Sequence, residues 1–268
     1  MSRSRSPFGR PARNSSAPNA VLAQGQVSWN SRKAFAFALL LEGAALYIAD
    51  AANPLAFTPS INTAENVLPD ATHSFARRHG LVIDHSDPGS AWFGVCDKLM
   101  LLPLSLLVLC LARAKFAGAR VLVLTEFLHI HAALLVLRAL LILSTTLPSP
   151  VRACHGAAEA PGNLQVRIWC NDCIFSGHTS LNLLCVLTLS HAPRAGRWLR
   201  GAVWACALLA SFVSAASQDH YTVDVLLAWT HTCGAVALRR PQLLAAWRGE
   251  ELGRAYSSIS WEDDDHRH

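Results

Sequence analysis

Six apolar runs alternate with polar, charged or proline-containing stretches. They cover roughly residues 34–51, 91–112, 121–146, 174–190, 198–217 and 221–238. Several approach the ~20 residues that a helix needs to cross hydrocarbon. The fourth is short by that measure, so its helix is expected to begin before Ile174. Buried helices of a soluble domain explain any one run, but six in one chain point to a membrane domain. The polar interruptions are few: Glu42 in the first run, Asp97, Lys98 and Pro103 in the second. Residues 1–33 are rich in Ser, Arg, Pro and Ala without an apolar period and read as a disordered basic tail, too polar for a secretory signal. Residues 241–268 read as a second tail whose WEDDDHRH end is a solvated acidic run, with metal binding by His266 and His268 as the weaker alternative. The expectation is an all-α membrane protein with a six-helix domain over 34–240.

Charge between the runs sets an orientation. Arg and Lys gather in residues 1–33, in the loop holding Arg113, Lys115 and Arg120, in the loop holding Arg194, Arg197 and Arg200, and after Arg239. The alternate loops hold Arg77, Arg78, Arg152 and Arg167. By the positive-inside rule both termini face the cytosol, and residues 52–90, 147–173 and 218–220 face the lumen or exterior.

Composition agrees with this reading. The 268 residues are 52% hydrophobic and 15% charged, against about 25% charged in soluble domains. The net charge of +5 belongs to the short loops, and no basic-aromatic motif argues for nucleic acid. Of the 8 cysteines, Cys110, Cys185, Cys206 and Cys233 lie in apolar runs as small packing residues. Cys96 stands near the mouth of a run. Cys154, Cys170 and Cys173 share one polar loop, where a disulfide is open to them in an oxidising lumen. The Cys170-x-x-Cys173 pair lacks the second pair that a zinc site requires.

Chemistry concentrates where two runs begin, in CNDCIFSGHTSLNLL (170–184) and SQDHYTVDVLLAW (217–229). Polar groups beside lipid are costly unless paired or functional. His220 and Asp224 are four apart and would share a helical face, about 6 Å apart along the axis. The carboxylate then holds one imidazole nitrogen and raises the basicity of the other. His178 supplies a second imidazole after Gly177, which lets backbone approach a ligand. A nucleophilic histidine plus an acid/base histidine is the minimum for a double-displacement transfer. Arg138 lies about 12 Å inside the third run from its Leu147-Pro148 exit. Unpaired charge there costs about 2.5 kcal/mol or more, so it reads either as a phosphate clamp or as the partner of an acid such as Asp97 or Asp172. Ser176 and Thr179 either steady phosphate oxygens or cap a helix. His129 and His131 read as structural, with Glu126 as a partner for one of them. His155 is a minor candidate for substrate contact, and Tyr221 and Trp229 read as packing or interface aromatics.

These motifs resemble those of the sphingomyelin synthase, or sphingolipid synthase, family, distant relatives of the lipid phosphate phosphatases. The family's C-G-D-x-x-x-S-G-H-T reads here CNDCIFSGHT, with Asn171 in place of Gly. Its H-Y-T-x-D-V is present in full from His220 to Val225. Arg138 stands seven residues before a T-T-L-P-S-P element at 145–150, and an L-P-D element occurs at Leu68-Pro69-Asp70. The resemblance covers about residues 34–240. It implies a six-helix, lipid-phosphatase-like bundle in the Golgi, endoplasmic reticulum or plasma membrane, with a lumenal site, and it leaves a homo-oligomer open. It also implies transfer of a phospho-head group, phosphocholine first among choline, ethanolamine and inositol phosphates, from a glycerophospholipid to ceramide. The catalytic trio would be His178, His220 and Asp224, with Arg138, Ser176 and Thr179 on the phosphate. No metal or cofactor is called for, because two histidines and an arginine can manage the phosphoryl charge. A lipid phosphate phosphatase using the same trio is the alternative, opposed by the lack of an Arg among residues 214–219. A non-catalytic lipid sensor is the third reading.

Overall fold

The computed structural model describes residues 29–56, 67–81, 95–114, 117–145, 147–150, 174–193 and 195–249. Among these the secondary structure is entirely helical: α1 Trp29–Ala56, α2 Ala71–Arg78, α3 Val95–Ala112, α4 Ala117–Ser144, α5 Gly177–Ser190, α6 Arg197–Ala216, α7 Thr222–Leu238 and α8 Arg240–Arg248. Six of them match the six apolar runs. Three are long and apolar enough to cross a membrane, over Asn30–Ala52, Ala117–Ser144 and Arg197–Ala216. The 14 residues of α5 extend only about 21 Å, short of a hydrocarbon core of about 30 Å. Two helices stand outside the apolar runs. Helix α2 lies in the stretch expected as the first exterior loop. Helix α8 takes up residues expected as tail, burying Leu243, Ala245 and Ala246.

Helix α4 is the central post. One side receives α1 through small residues, with Ala45 and Ala49 against Ala132 and Leu135, and Ala52 against Ala139 and Ile142. Alanine lets two backbones approach closely where no hydrophobic drive exists between helices in lipid. The other side, with Leu122, Val123, Phe127, Ile130 and Leu134, joins α3, α5, α6, α7 and α8 in the main core. Large apolar side chains on the outside, among them Phe37, Leu40, Tyr47, Val108, Leu208 and Leu226, stay exposed. An apolar exterior of this extent suits lipid and not water.

Polar side chains inside the bundle pin particular helices together. Glu42, the interruption in α1, meets His131 Nδ1 of α4. Glu126 Oε2 accepts from Arg239 Nε at 3.0 Å and Nη2 at 2.7 Å. The glutamate expected beside a histidine of its own helix thus pairs with an arginine at the far end of α7. Trp204 donates to Ser190 Oγ, Trp229 to Ser211 Oγ, and Trp247 to the Thr188 carbonyl.

Pro103 has a specific consequence. It has no N–H to give to the carbonyl four residues back. That carbonyl, of Leu99, instead lies 3.5 Å from Asn182 Nδ2 of α5 and 3.7 Å from Cys206 Sγ of α6. The helix defect in α3 is therefore repaired from its neighbours. The repair fixes α3 against α5 one turn away from Asp97 and His178.

Candidate active site

The two histidine motifs come together at one end of the bundle. Ser176, itself extended in backbone, caps α5, its Oγ accepting from Thr179 N at 3.3 Å. Its own N–H donates to the carbonyl of Asp224 at 3.4 Å. The SGHT turn and the HYTVD turn are thus joined by a backbone hydrogen bond. The first N–H groups of a helix lack intrahelical partners and favour anions. Two such N-termini, of α5 and α7, adjoin here.

His220 does not lie on the face of a helix with Asp224. It precedes α7, whose N-cap is Tyr221. Asp224 Oδ2 accepts from Tyr221 N at 2.9 Å and stands 3.5 Å from His220 Nδ1. The four-residue spacing works through the capping turn, in which the third helical residue reaches back over the cap. The Asp224 side chain is fully buried. Both His220 Nδ1 and Asp224 Oδ1 are buried without a hydrogen bond among the described residues, as are Thr179 Oγ1 and Gln218 Nε2. Buried unsatisfied polar atoms are few in native proteins, and these four lie at the adjoining starts of α5 and α7. Gln218, in the turn before His220, has φ 63°. That left-handed conformation is costly for a residue with a Cβ and gathers at functional sites.

His178 finds an acid that the sequence had assigned elsewhere. Its Nε2 lies 2.8 Å from Asp97 Oδ1, with side-chain exposures of 32% and 64%. A carboxylate accepts, so Nε2 carries the proton and Nδ1 is the free nitrogen. Each imidazole therefore has its own carboxylate, one open to solvent and one sealed. Arg138 reaches the same place from α4. A methyl group on Gly177 would lie 3.1 Å from Arg138 Nη1 and 3.3 Å from Cζ, so the guanidinium rests over the Gly177 Cα. Of the two acids offered to Arg138 from the sequence, Asp97 is engaged with His178 and Asp172 lies outside the described residues. The carboxylate whose charge acts on Arg138 is Asp50 of α1.

A second ring of contacts surrounds His220 and was not anticipated. Asp70 caps α2, Oδ1 accepting from Thr72 N at 2.8 Å and His73 N at 3.1 Å. The same carboxylate accepts from Thr222 N at 2.7 Å and Thr222 Oγ1 at 2.8 Å. Partial burial works to raise its pKa, but the hydrogen bonds from Thr222 and His73 outweigh that and hold it below the ordinary carboxylate value. His73 is buried, stacks on Tyr221 at 5.5 Å between centroids, and bonds the His220 carbonyl through Nε2 at 2.9 Å. Tyr221, expected as a packing aromatic, is fully buried. Its hydroxyl donates to the Pro148 carbonyl at 2.8 Å and accepts from Leu68 N at 3.1 Å. The only hints in the sequence were the short L-P-D element and the T-T-L-P-S-P element. Cys154, His155, Cys170, Asn171 and Cys173 lie outside the described residues. His129 stands at the other end of α7, in a groove with Ile130, Ala133, Ala235, Leu238 and Arg239.

Comparison with known proteins falls on this same stretch. Residues 169–240 match the PAP2 superfamily C-terminal family. Over 60 residues the chain is 40% identical to phosphatidylinositol:ceramide inositolphosphotransferase 3 of Arabidopsis thaliana, covering 22% of this chain and 20% of that one. In that stretch the chain is similar to a sphingolipid synthase. It is 32% identical over 108 residues to phosphatidylinositol:ceramide inositolphosphotransferase of Oryza sativa subsp. indica, covering 35% of this chain and 33% of the rice protein. It is 34% identical over 61 residues to phosphatidylcholine:ceramide cholinephosphotransferase 1 of Gallus gallus, covering 22% of this chain and 15% of that one. The matches thus span a third or less of these sphingolipid synthases, and the family model covers the segment that carries both histidines.

Proposed function

We propose that the protein is a membrane-embedded ceramide phosphotransferase. It moves a phospho-head group from a glycerophospholipid to the primary hydroxyl of ceramide and releases diacylglycerol. The observation that carries this is the hydrogen bond from Ser176 N to the Asp224 carbonyl, which joins the start of α5, with His178, to the turn before α7, with His220. In support, Asp224 faces His220 Nδ1, leaving Nε2 to attack phosphorus. The phosphorus–oxygen bond to diacylglycerol breaks as protonated His178 delivers its Nδ1 proton to the departing oxygen. A phosphohistidine remains on His220. His178 Nδ1 then takes the proton of the ceramide hydroxyl, whose oxygen attacks phosphorus, and the nitrogen–phosphorus bond breaks. The 3.5 Å gap between His220 and Asp224 suits a contact that tightens when substrate binds.

Arg138, placed over Gly177, is the phosphate clamp in this reading. The two helix N-termini add to its field. Thr179 is the hydroxyl left for a phosphate oxygen, since Ser176 Oγ serves as the cap. The reading has six spans, one for each apolar run; loop charge turns both termini to the cytosol and the site to the lumen or exterior, and the Golgi or endoplasmic reticulum is what the resemblance to sphingolipid synthases implies. Phosphoinositol stands beside phosphocholine as the group transferred, because relatives named for each of the two transfers match the chain.

The test uses membranes from a host offering phosphatidylinositol, phosphatidylcholine and phosphatidylethanolamine, fed fluorescent ceramide, with products separated by thin-layer chromatography. A ceramide-dependent phospholipid product is expected. His178→Ala and His220→Ala should each lose it by about 10²-fold or more while still inserting. Release of free phosphate or head-group phosphate without ceramide would instead identify a phosphatase.

A further inference from the structure

We propose that the segment Leu68–Arg78 is a strap that positions the nucleophile, with His73 and Asp70 as its two positioning residues. The inference rests on His220 being the group that attacks phosphorus, as argued above.

His220 sits outside α7, in a turn already bent through the left-handed Gln218. Its ring can face Asp224 reproducibly only if the peptide groups after it are held. The structure holds both. The peptide between His220 and Tyr221 is gripped on two edges, its carbonyl by His73 Nε2 at 2.9 Å and its N–H by Asp224 Oδ2 at 2.9 Å. The next N–H, of Thr222, is taken by Asp70 Oδ2 at 2.7 Å. Since a carbonyl only accepts, His73 must carry its proton on Nε2. Asp70 also caps α2, so the strap cannot shift along α7 without losing its own helix start. Tyr221 locks the assembly, its hydroxyl bridging Leu68 N and the Pro148 carbonyl. The L-P-D, T-T-L-P-S-P and H-Y-T elements, 68 to 222 in the chain, therefore meet on one side chain.

A strap of this kind acts on turnover more than on substrate affinity, because neither residue needs to touch lipid. Misplacement of a reacting group by about 1 Å costs about 10²-fold. His73→Phe keeps a ring against Tyr221 and removes the donor; His73→Gln keeps an amide donor near the position of Nε2. With ceramide and phospholipid varied in detergent micelles, His73→Phe is expected to lower kcat by about 10²-fold with KM for both lipids nearly unchanged. His73→Gln is expected to recover most of that loss. Wild-type kcat in His73→Phe, or an equal loss in both variants, overturns the proposal. Should His73→Phe fail to insert, Asp70→Asn decides. It keeps one acceptor for the α2 cap and withdraws the other from Thr222 N, so the same kcat-only loss is expected and wild-type kcat refutes the strap. His220→Ala is run alongside. Residual turnover in that variant removes the catalytic reading itself, whereas an inactive His220→Ala with an unaffected His73→Phe removes only the strap.

Discussion

Replacing Gly177 by Ala should separate stability from activity. Gly177 is the first residue of α5 and its backbone is helical, so Ala fits without strain. Loss of glycine's freedom in the unfolded chain stabilises by about 0.4–1 kcal/mol. The new methyl group would stand 3.1 Å from Arg138 Nη1, 3.3 Å from Cζ and 3.7 Å from Nε. Ordinary contact between such atoms is about 3.5–4 Å, so the guanidinium must retreat by about half an ångström. It is the far end of a flexible side chain, and it moves in preference to the helix. On the scale at which about 1 Å costs about 10²-fold, that retreat lowers turnover by about tenfold. The assay is transfer to fluorescent ceramide, paired with thermal unfolding in detergent. The expected result is an unchanged or raised Tm with the rate down about tenfold. Arg138→Lys lacks the planar fork, so Gly177→Ala should cost little more in that background. Full activity in Gly177→Ala, or strictly additive losses in the double variant, would refute the placement of Arg138 over the phosphate.

Three further outcomes follow. Asp97→Asn should lower kcat by less than the about 10²–10⁴-fold that removal of a proton-transferring group costs, because His178 keeps its ring and loses only its carboxylate; rates at saturating lipid measure this. Arg239→Ala should destabilise by about 3–5 kcal/mol, since it leaves the fully buried Glu126 unpaired, whereas Glu126→Gln should cost less because Arg239 is 36% exposed and reaches water; unfolding midpoints rank the two. Asp70 has a lowered pKa in the fold, so its contribution is present above the ordinary value of 3.8 and lost as pH falls through the depressed one. Tm measured from about pH 6 to about pH 2 should fall on the acid side in the wild type, with a shallower fall in Asp70→Asn.

The sequence by itself determined the long apolar helices and the candidate residues, but not α2, α8 or the start of α5, which lies at Gly177 and not before Ile174. Apolar runs at 91–112, 121–146, 198–217 and 221–238 became α3, α4, α6 and α7 to within a few residues, because a largely apolar stretch in lipid leaves the backbone no partner but itself. It also singled out His178, His220 and Asp224 at the mouths of such runs and Arg138 deep within one, because polar residues there stand out against their surroundings. What it did not determine was partnership. Asp97 was offered to Arg138 and went to His178, 81 positions away; Glu126 was offered to a histidine of its own helix and went to Arg239, 113 positions away. The roles of Asp70, His73 and Tyr221 were hidden for the same reason, since Asp70 and Thr222 are 152 positions apart. Periodicity and spacing describe one helix at a time. Which acid meets which base is fixed only when helices pack, and here that packing depends on alanines along α1 and on a proline defect in α3 that only its neighbours repair.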